Sequence, residues 1–206
     1  MPKSKPQLSD LKQLVAGIVI PFYQVERGTP LRFAPGRFED DAEHSWSVAL
    51  VAGALAPHVD SKLDVGKVCQ FATVHDLVEV YAGDTSNFAE ADKVATKEQR
   101  ETLAYQELQQ RFANLPWLAE TVEAYEAQTS PEARFVKSID KLVPLLFDLI
   151  DDGLFYKEHK VTLEAWQKQM QKHRQKASTH PGAFEYYEEL WDILVANPQF
   201  FYQEQK

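Results

Sequence analysis

Apolar residues recur along the chain at intervals of three and four, the spacing that gathers them on one face of an α-helix. On that pattern helices are predicted over 7–25, 39–57, 63–82, 91–113, 117–128, 131–152, 161–177 and 183–196. Ser130 followed by Pro131 marks the start of the sixth, a side-chain cap and then a residue with no N–H to satisfy. Gly28, Gly36, Gly83, Gly153 and Gly182 stand where helices should end. No segment alternates apolar and polar residues convincingly enough to predict a strand, and no internal repeat or low-complexity linker interrupts the pattern. The expected class is all-α, a helical bundle. Residues 26–38, rich in Arg, Gly and Pro, are expected to form a loop that leads directly into the second helix.

Three of these helices break their own apolar stripe with a polar residue. His44 shares a face with Val48, Val51 and Leu55; His75 with Phe71, Val78 and Ala82; Asp140 with Val136, Val143 and Phe147. Each helix thus turns one metal-competent side chain inward. A lone histidine on such a stripe is ordinarily a hydrogen-bonded core residue, but an isolated buried carboxylate is costly unless paired or bound to a cation. Asp76 sits about 100° around the helix from His75, close enough for both to grip one ion. The candidate metal set is therefore His44, His75, Asp76 and Asp140. Two imidazoles and two carboxylates suit one borderline divalent ion, Mn, Fe, Co, Ni or Zn, with positions left for water or substrate if coordination is octahedral. Pro144 cannot donate to the carbonyl of Asp140 and is expected to bend the sixth helix there.

A chain of 206 residues, 44% hydrophobic and 12% aromatic, suits a single domain over 1–206, with its core over about 8–190 and a C-terminal helix and tail over 183–206. A net charge of −9 argues against a nucleic-acid polymer as partner. A small anionic substrate needs only local positive charge, which Arg27, Arg32 and Arg37 could supply. The apolar runs Leu14 to Ile20 and Val48 to Ala56 are too short to cross a bilayer, and MPKSKPQLSD does not continue as a signal peptide. No membrane association and a cytoplasmic location are expected. The single Cys69 excludes an internal disulfide and a thiolate metal site, and reads as a buried core thiol.

The order of His44, then His75-Asp76, then Asp140 is similar to the pattern of the HD-domain phosphohydrolases. The segments AEHS (42–45), HDLVEVYAGD (75–84) and FVKSIDKL (135–142) resemble the branch that holds the YfbR-like 5'-deoxynucleotidases and the HD domain-containing protein 2 relatives. The resemblance implies an all-α HD fold, one divalent metal, often a homodimer, and removal of phosphate from a nucleoside 5'-monophosphate. It places the metal ligands on the same four residues, and Glu79 and Asp84 as catalytic acids. Arg27 resembles the arginine that holds the substrate phosphate, with Arg37 as an alternative. Lys137 and Lys141 flank Asp140, and only Lys137 lies near its face and could meet the substrate. Gly28 stands where the deoxynucleotidases carry a tryptophan, so preference for deoxyribose is not implied. Alternatives are another HD nucleotide phosphohydrolase, acting on deoxynucleoside triphosphates or alarmones, and a non-catalytic nucleotide- or metal-binding module.

Overall fold

A computed structural model describes residues 5–85, 92 and 95–203. The predicted 91–113 helix begins partly outside that set, since residues 91, 93 and 94 are not among those described. Helix α1 (Leu8–Leu14) runs through a π-helical stretch, Val15–Val19, into α2 (Ile20–Phe22). Then come β1 (Glu26–Pro30) and β2 (Phe38–Asp40), α3 (Asp41–Val59), α4 (Val65–Val74), α5 (Glu79–Ala82) and α6 (Lys97–Arg111). The second half holds α7 (Trp117–Glu126), α8 (Pro131–Ile150), α9 (Leu154–Glu158), α10 (Leu163–Gln169), α11 (Gln171–Ala177) and α12 (Pro181–Ala196), with a 3₁₀ turn at Pro198–Phe200.

The helices start where the capping chemistry places them. Asp40 accepts from the Glu43 N–H while the Glu43 carboxylate accepts from the Asp40 N–H, a reciprocal box that opens α3. Ser130 accepts from Ala133 N–H at 3.1 Å and fixes the start of α8. That helix runs unbroken through Pro144 to Ile150 and lies against α3, α4, α11 and α12. It is the central post, buried along Val136, Ile139, Val143 and Leu145.

Four expectations need correction. The 26–38 loop is instead an antiparallel hairpin pairing Glu26 with Asp40 and Pro30 with Phe38, its register irregular between them. Five residues reading ERGTP carry no alternation, so burial could not announce this strand. The predicted helix 63–82 breaks over residues 75–78, and the predicted helix 161–177 is divided at Met170. Cys69 is half-buried, its thiol facing α3.

Two apolar clusters fill the interior. The larger joins α3, α4, α8 and α10 to α12, and includes Trp166 stacked near Trp191 and Phe201. The smaller joins Ile18 and Phe22 to α6 and α7. Phe71 and Ala72 belong to the first, Val74, Leu77 and Val78 to the second, so the segment around His75 passes from one core to the other.

Candidate metal centre

The polar residues of the three apolar stripes meet where that segment crosses. His44 lies in the second turn of α3 and is fully buried, His75 caps the C-terminus of α4, and Asp140 sits midway along α8. His75 Nε2 is 3.1 Å from Asp76 Oδ2 and 3.7 Å from Asp140 Oδ1. His44 Nε2 is 3.3 Å from Asp140 Oδ1 and 3.9 Å from Asp76 Oδ2. One donor atom from each of the four therefore falls within 4.8 Å of the others.

The break after α4 falls at this point of convergence. In a straight helix Asp76 would project about 100° away from His75. Instead, the Leu77 N–H donates to the Val74 carbonyl and the Glu79 N–H to the Asp76 carbonyl, turns of the tighter i to i+3 type. The chain restarts helically at Glu79, and the Asp76 carboxylate reaches 3.1 Å from His75 Nε2.

Both imidazoles present Nε2 to the same point, with Nδ1 turned away from it. His75 Nδ1 donates to the Ala72 carbonyl at 2.8 Å. His44 Nδ1 faces Glu39 Oε2 at 3.3 Å. The bond at Nδ1 fixes the tautomer of His75 that leaves Nε2 a lone pair, and the Glu39 charge beside His44 Nδ1 favours the same tautomer there.

The electrostatics call for a cation here. Burial alone would suppress the imidazolium of His75, yet Asp76 and then Asp140 outweigh it and lift the group to about 10. Burial drives Glu79 up to about 9, with Asp76, Asp84 and Asp41 adding repulsion. Asp41 rises to about 7 through burial and the neighbouring Asp76. His75 Nε2, Glu79 Oε2 and Asp41 Oδ2 are buried with no hydrogen-bond partner. Two nitrogen and two oxygen donors converge here, His75 Nε2 among them without a hydrogen-bond partner, and such a set fits one borderline divalent cation.

The centre opens on a cleft of about 860 Å³ lined among others by Arg27, Glu79, Asp84, Lys97, Lys137 and Asp140. Glu79 opens α5 and faces the centre, while Gly83, at φ +71°, turns the chain so that Asp84 meets the cleft. Arg27, carried on β1, donates through Nη1 to Asp41 Oδ1 and Asp76 Oδ2, each at 2.9 Å. Lys137 stands 5.7 Å above the Tyr125 ring, which meets His75 edge-on. Lys141 pairs with Asp140 Oδ2 at 2.8 Å. Arg32 and Arg37 are not brought to the cleft. The first reaches Asp152 and the Ile150 carbonyl, the second Glu43.

Glu39 and Asp41 escape a reading by helical period, because FEDD resembles a solvated acidic run. A signal was present, since Asp41 precedes the inward His44 by three residues and therefore shares its side of α3.

The HD-domain family profile matches residues 23–180. Human 5'-deoxynucleotidase HDDC2 is 32% identical over 114 residues, 53% of this chain and 53% of that protein. The bovine 5'-deoxynucleotidase HDDC2 is 33% identical over 112 residues, 52% of each. The chain thus spans about half the length of the curated relatives it matches. A crystal structure described as a predicted metal-dependent phosphohydrolase from Magnetospirillum magnetotacticum MS-1 superposes with a TM-score of 0.77 at 28% identity, over 95% of this chain and 96% of that one. The PH0347 protein of Pyrococcus horikoshii OT3, 22% identical with a TM-score of 0.58 over 94% of this chain and 99% of that one, shares the fold alone.

Proposed function

From the premise that the chain belongs to the HD-domain family, we propose that it is a divalent-metal-dependent phosphohydrolase that removes phosphate from nucleoside 5'-monophosphates. One observation carries the reading. His44, His75, Asp76 and Asp140 converge within 4.8 Å at the inner end of a cleft that also holds Glu79 and Asp84. The names of the HDDC2 relatives and of the Magnetospirillum structure support it.

In this reading His44 Nε2, His75 Nε2, Asp76 and Asp140 hold the ion. When bound, it supplies Lewis acidity toward the phosphoryl oxygens and toward water. Arg27 meets the phosphate from the β1 side of the cleft, oriented by Asp41 and Asp76. With a cation in the cage offsetting the repulsion of Asp76, Glu79 would be ionised and would accept the proton of the attacking water at Oε2, an oxygen without a hydrogen-bond partner among the described residues. Asp84, placed by the turn at Gly83, protonates the leaving 5' oxygen or binds the sugar hydroxyl. Lys137, Lys141, Lys172 and Lys176 line the cleft from α8 and α11 and favour an anionic substrate in a chain that is acidic as a whole. Gly28 also lines the cleft and leaves ribose and deoxyribose both to be tested.

A homodimer is part of the same reading, supported by the apolar groove that Val51, Leu55, Leu146, Leu149 and Ile193 form between α3, α8 and α12. A cytoplasmic location is carried with it. Among the described residues no helix is long and apolar enough to cross a membrane.

The test is phosphate release from purine and pyrimidine ribo- and deoxynucleoside 5'-monophosphates with Mn, Co, Fe, Ni or Zn in turn. The expected result is metal-dependent release that Glu79→Gln lowers by about 10²–10⁴-fold, with the bound metal retained. Full metal occupancy without turnover of any nucleotide overturns the reading and leaves a binding module.

A further inference from the structure

Asp76 belongs to two acidic constellations at once. Besides the four-residue cage, Asp41, Asp76 and Glu79 bring one carboxylate oxygen each to within 4.8 Å of one another. They come from three places in the fold: the first residue of α3, the turn after α4 and the first residue of α5. Asp41 and Glu79 are 0% and 5% exposed, so water does little to screen their repulsion.

A cation already stands in this second group. Arg27 Nη1 is 2.9 Å from both Asp41 Oδ1 and Asp76 Oδ2, and its Nε is 3.6 Å from Glu39 Oε2. The guanidinium thus faces Asp41, Asp76 and Glu39, while Lys97 Nζ pairs with Glu79 Oε1 at 3.5 Å. An excess remains: Asp41 Oδ2, Glu79 Oε2 and both oxygens of the buried Glu39 have no hydrogen-bond partner. Glu39 lies outside the three-acid group, and its Oε2 makes only ionic contacts, 3.3 Å from His44 Nδ1 and 3.6 Å from Arg27 Nε, so this pocket has more acceptors than the one arginine satisfies by hydrogen bonds.

We infer that Arg27 is a built-in counter-cation standing where a second divalent ion would bind, so that the centre holds one ion per chain. Resting on the metal-centre reading above, this makes the metal count a property of β1. Removing the guanidinium leaves three oxygen donors, Asp76 common to both groups, with Lys97, 3.5 Å from Glu79 Oε1, as the remaining cation beside them among the described residues. A hard or borderline divalent cation is the ligand such an oxygen-rich set selects.

The test counts manganese in the purified full chain by equilibrium titration with elemental analysis, and records its electron paramagnetic resonance. Wild type is expected to bind one Mn per chain with the spectrum of an isolated ion. Arg27→Ala is expected to bind two, with the spectrum of an exchange-coupled pair. Arg27→Lys, which keeps a single positive charge near the same acids, is expected to bind one. Arg27→Ala with Asp41→Asn is expected to return to one, because the second group loses a charged donor.

One ion in Arg27→Ala, or two in the Asp41→Asn double variant, overturns the inference. So does an Arg27→Ala chain that stays unfolded in excess Mn, because a divalent ion should more than replace the charge removed. Wild type that binds no ion instead overturns the metal centre itself. Wild type with one ion and active, beside Arg27→Ala with one, removes only the counter-cation role of Arg27.

Discussion

Glu39 offers the sharpest test of how the centre is held, because it touches the cage only through His44. Its Oε2 lies 3.3 Å from His44 Nδ1, and the two side chains are 1% and 0% exposed. Glu39→Gln keeps the shape and an oxygen beside Nδ1, and removes the negative charge. A full unit-charge interaction at that distance and an effective dielectric near 20 amounts to about 5 kcal/mol. An imidazole that ligates a cation gains only a few tenths of a charge, which leaves ~1–2 kcal/mol. That agrees with the 10–100-fold effect typical of partners behind a metal-bound histidine. The assay is chelator competition for Mn at fixed pH, with turnover measured separately at saturating metal. The dissociation constant is expected to rise about 10- to 100-fold, while turnover at saturation changes little. Arg27 loses one of its acidic neighbours, 3.6 Å from Nε, but keeps Asp41 and Asp76. An unchanged metal affinity would falsify the argument, because His44 would then need no anchor behind it.

Two further predictions concern stability. Burial raises Asp148 to about 7 despite the hydrogen bond from Tyr156, with Asp151 adding repulsion. The native state therefore holds a proton that the unfolded chain releases near pH 4, and stability is lost as pH rises from about 4 to about 7, at up to ~1.4 kcal/mol per unit. Urea unfolding of wild type and Asp148→Asn across that range should show a difference that moves steadily in favour of the variant as pH rises; parallel profiles would refute the assignment. A Cβ at Gly53 would stand 3.0 Å from Cys69 Sγ, where α3 packs on α4. Gly53→Val is accordingly expected to cost about 1–3 kcal/mol by overpacking, and Cys69→Ala to recover part of it in a double-mutant cycle. Independent, additive effects would mean that the two helices do not press together there.

What could be read from the residues alone follows from which structural period each feature obeys. His44, His75 and Asp140 each interrupt an apolar stripe of helical spacing, and burial of the stripe commits the interrupting side chain to the interior. Three such interruptions in three helices cannot all be satisfied separately at low cost, so their convergence was legible before any coordinate. Asp76 was legible only through its neighbour. The turn that places it carries no glycine or proline between Phe71 and Ala82, and is set by tertiary contacts across the two cores. Arg27 marks where local pattern stops informing. In the sequence it is one of three arginines in a short stretch, alike in charge and spacing to Arg32 and Arg37. Only the hairpin separates them, and the hairpin is specified by backbone pairing between Glu26 and Asp40 and between Pro30 and Phe38, not by an alternation of side chains. Glu39 enters by the same route: β2 carries it behind His44, and no helical period links it to the cage. The helices thus supply the metal donors by periodicity, while the short sheet supplies the charges around them by topology. It follows that changes in the 26–40 segment should alter metal number and affinity while leaving the helical core intact.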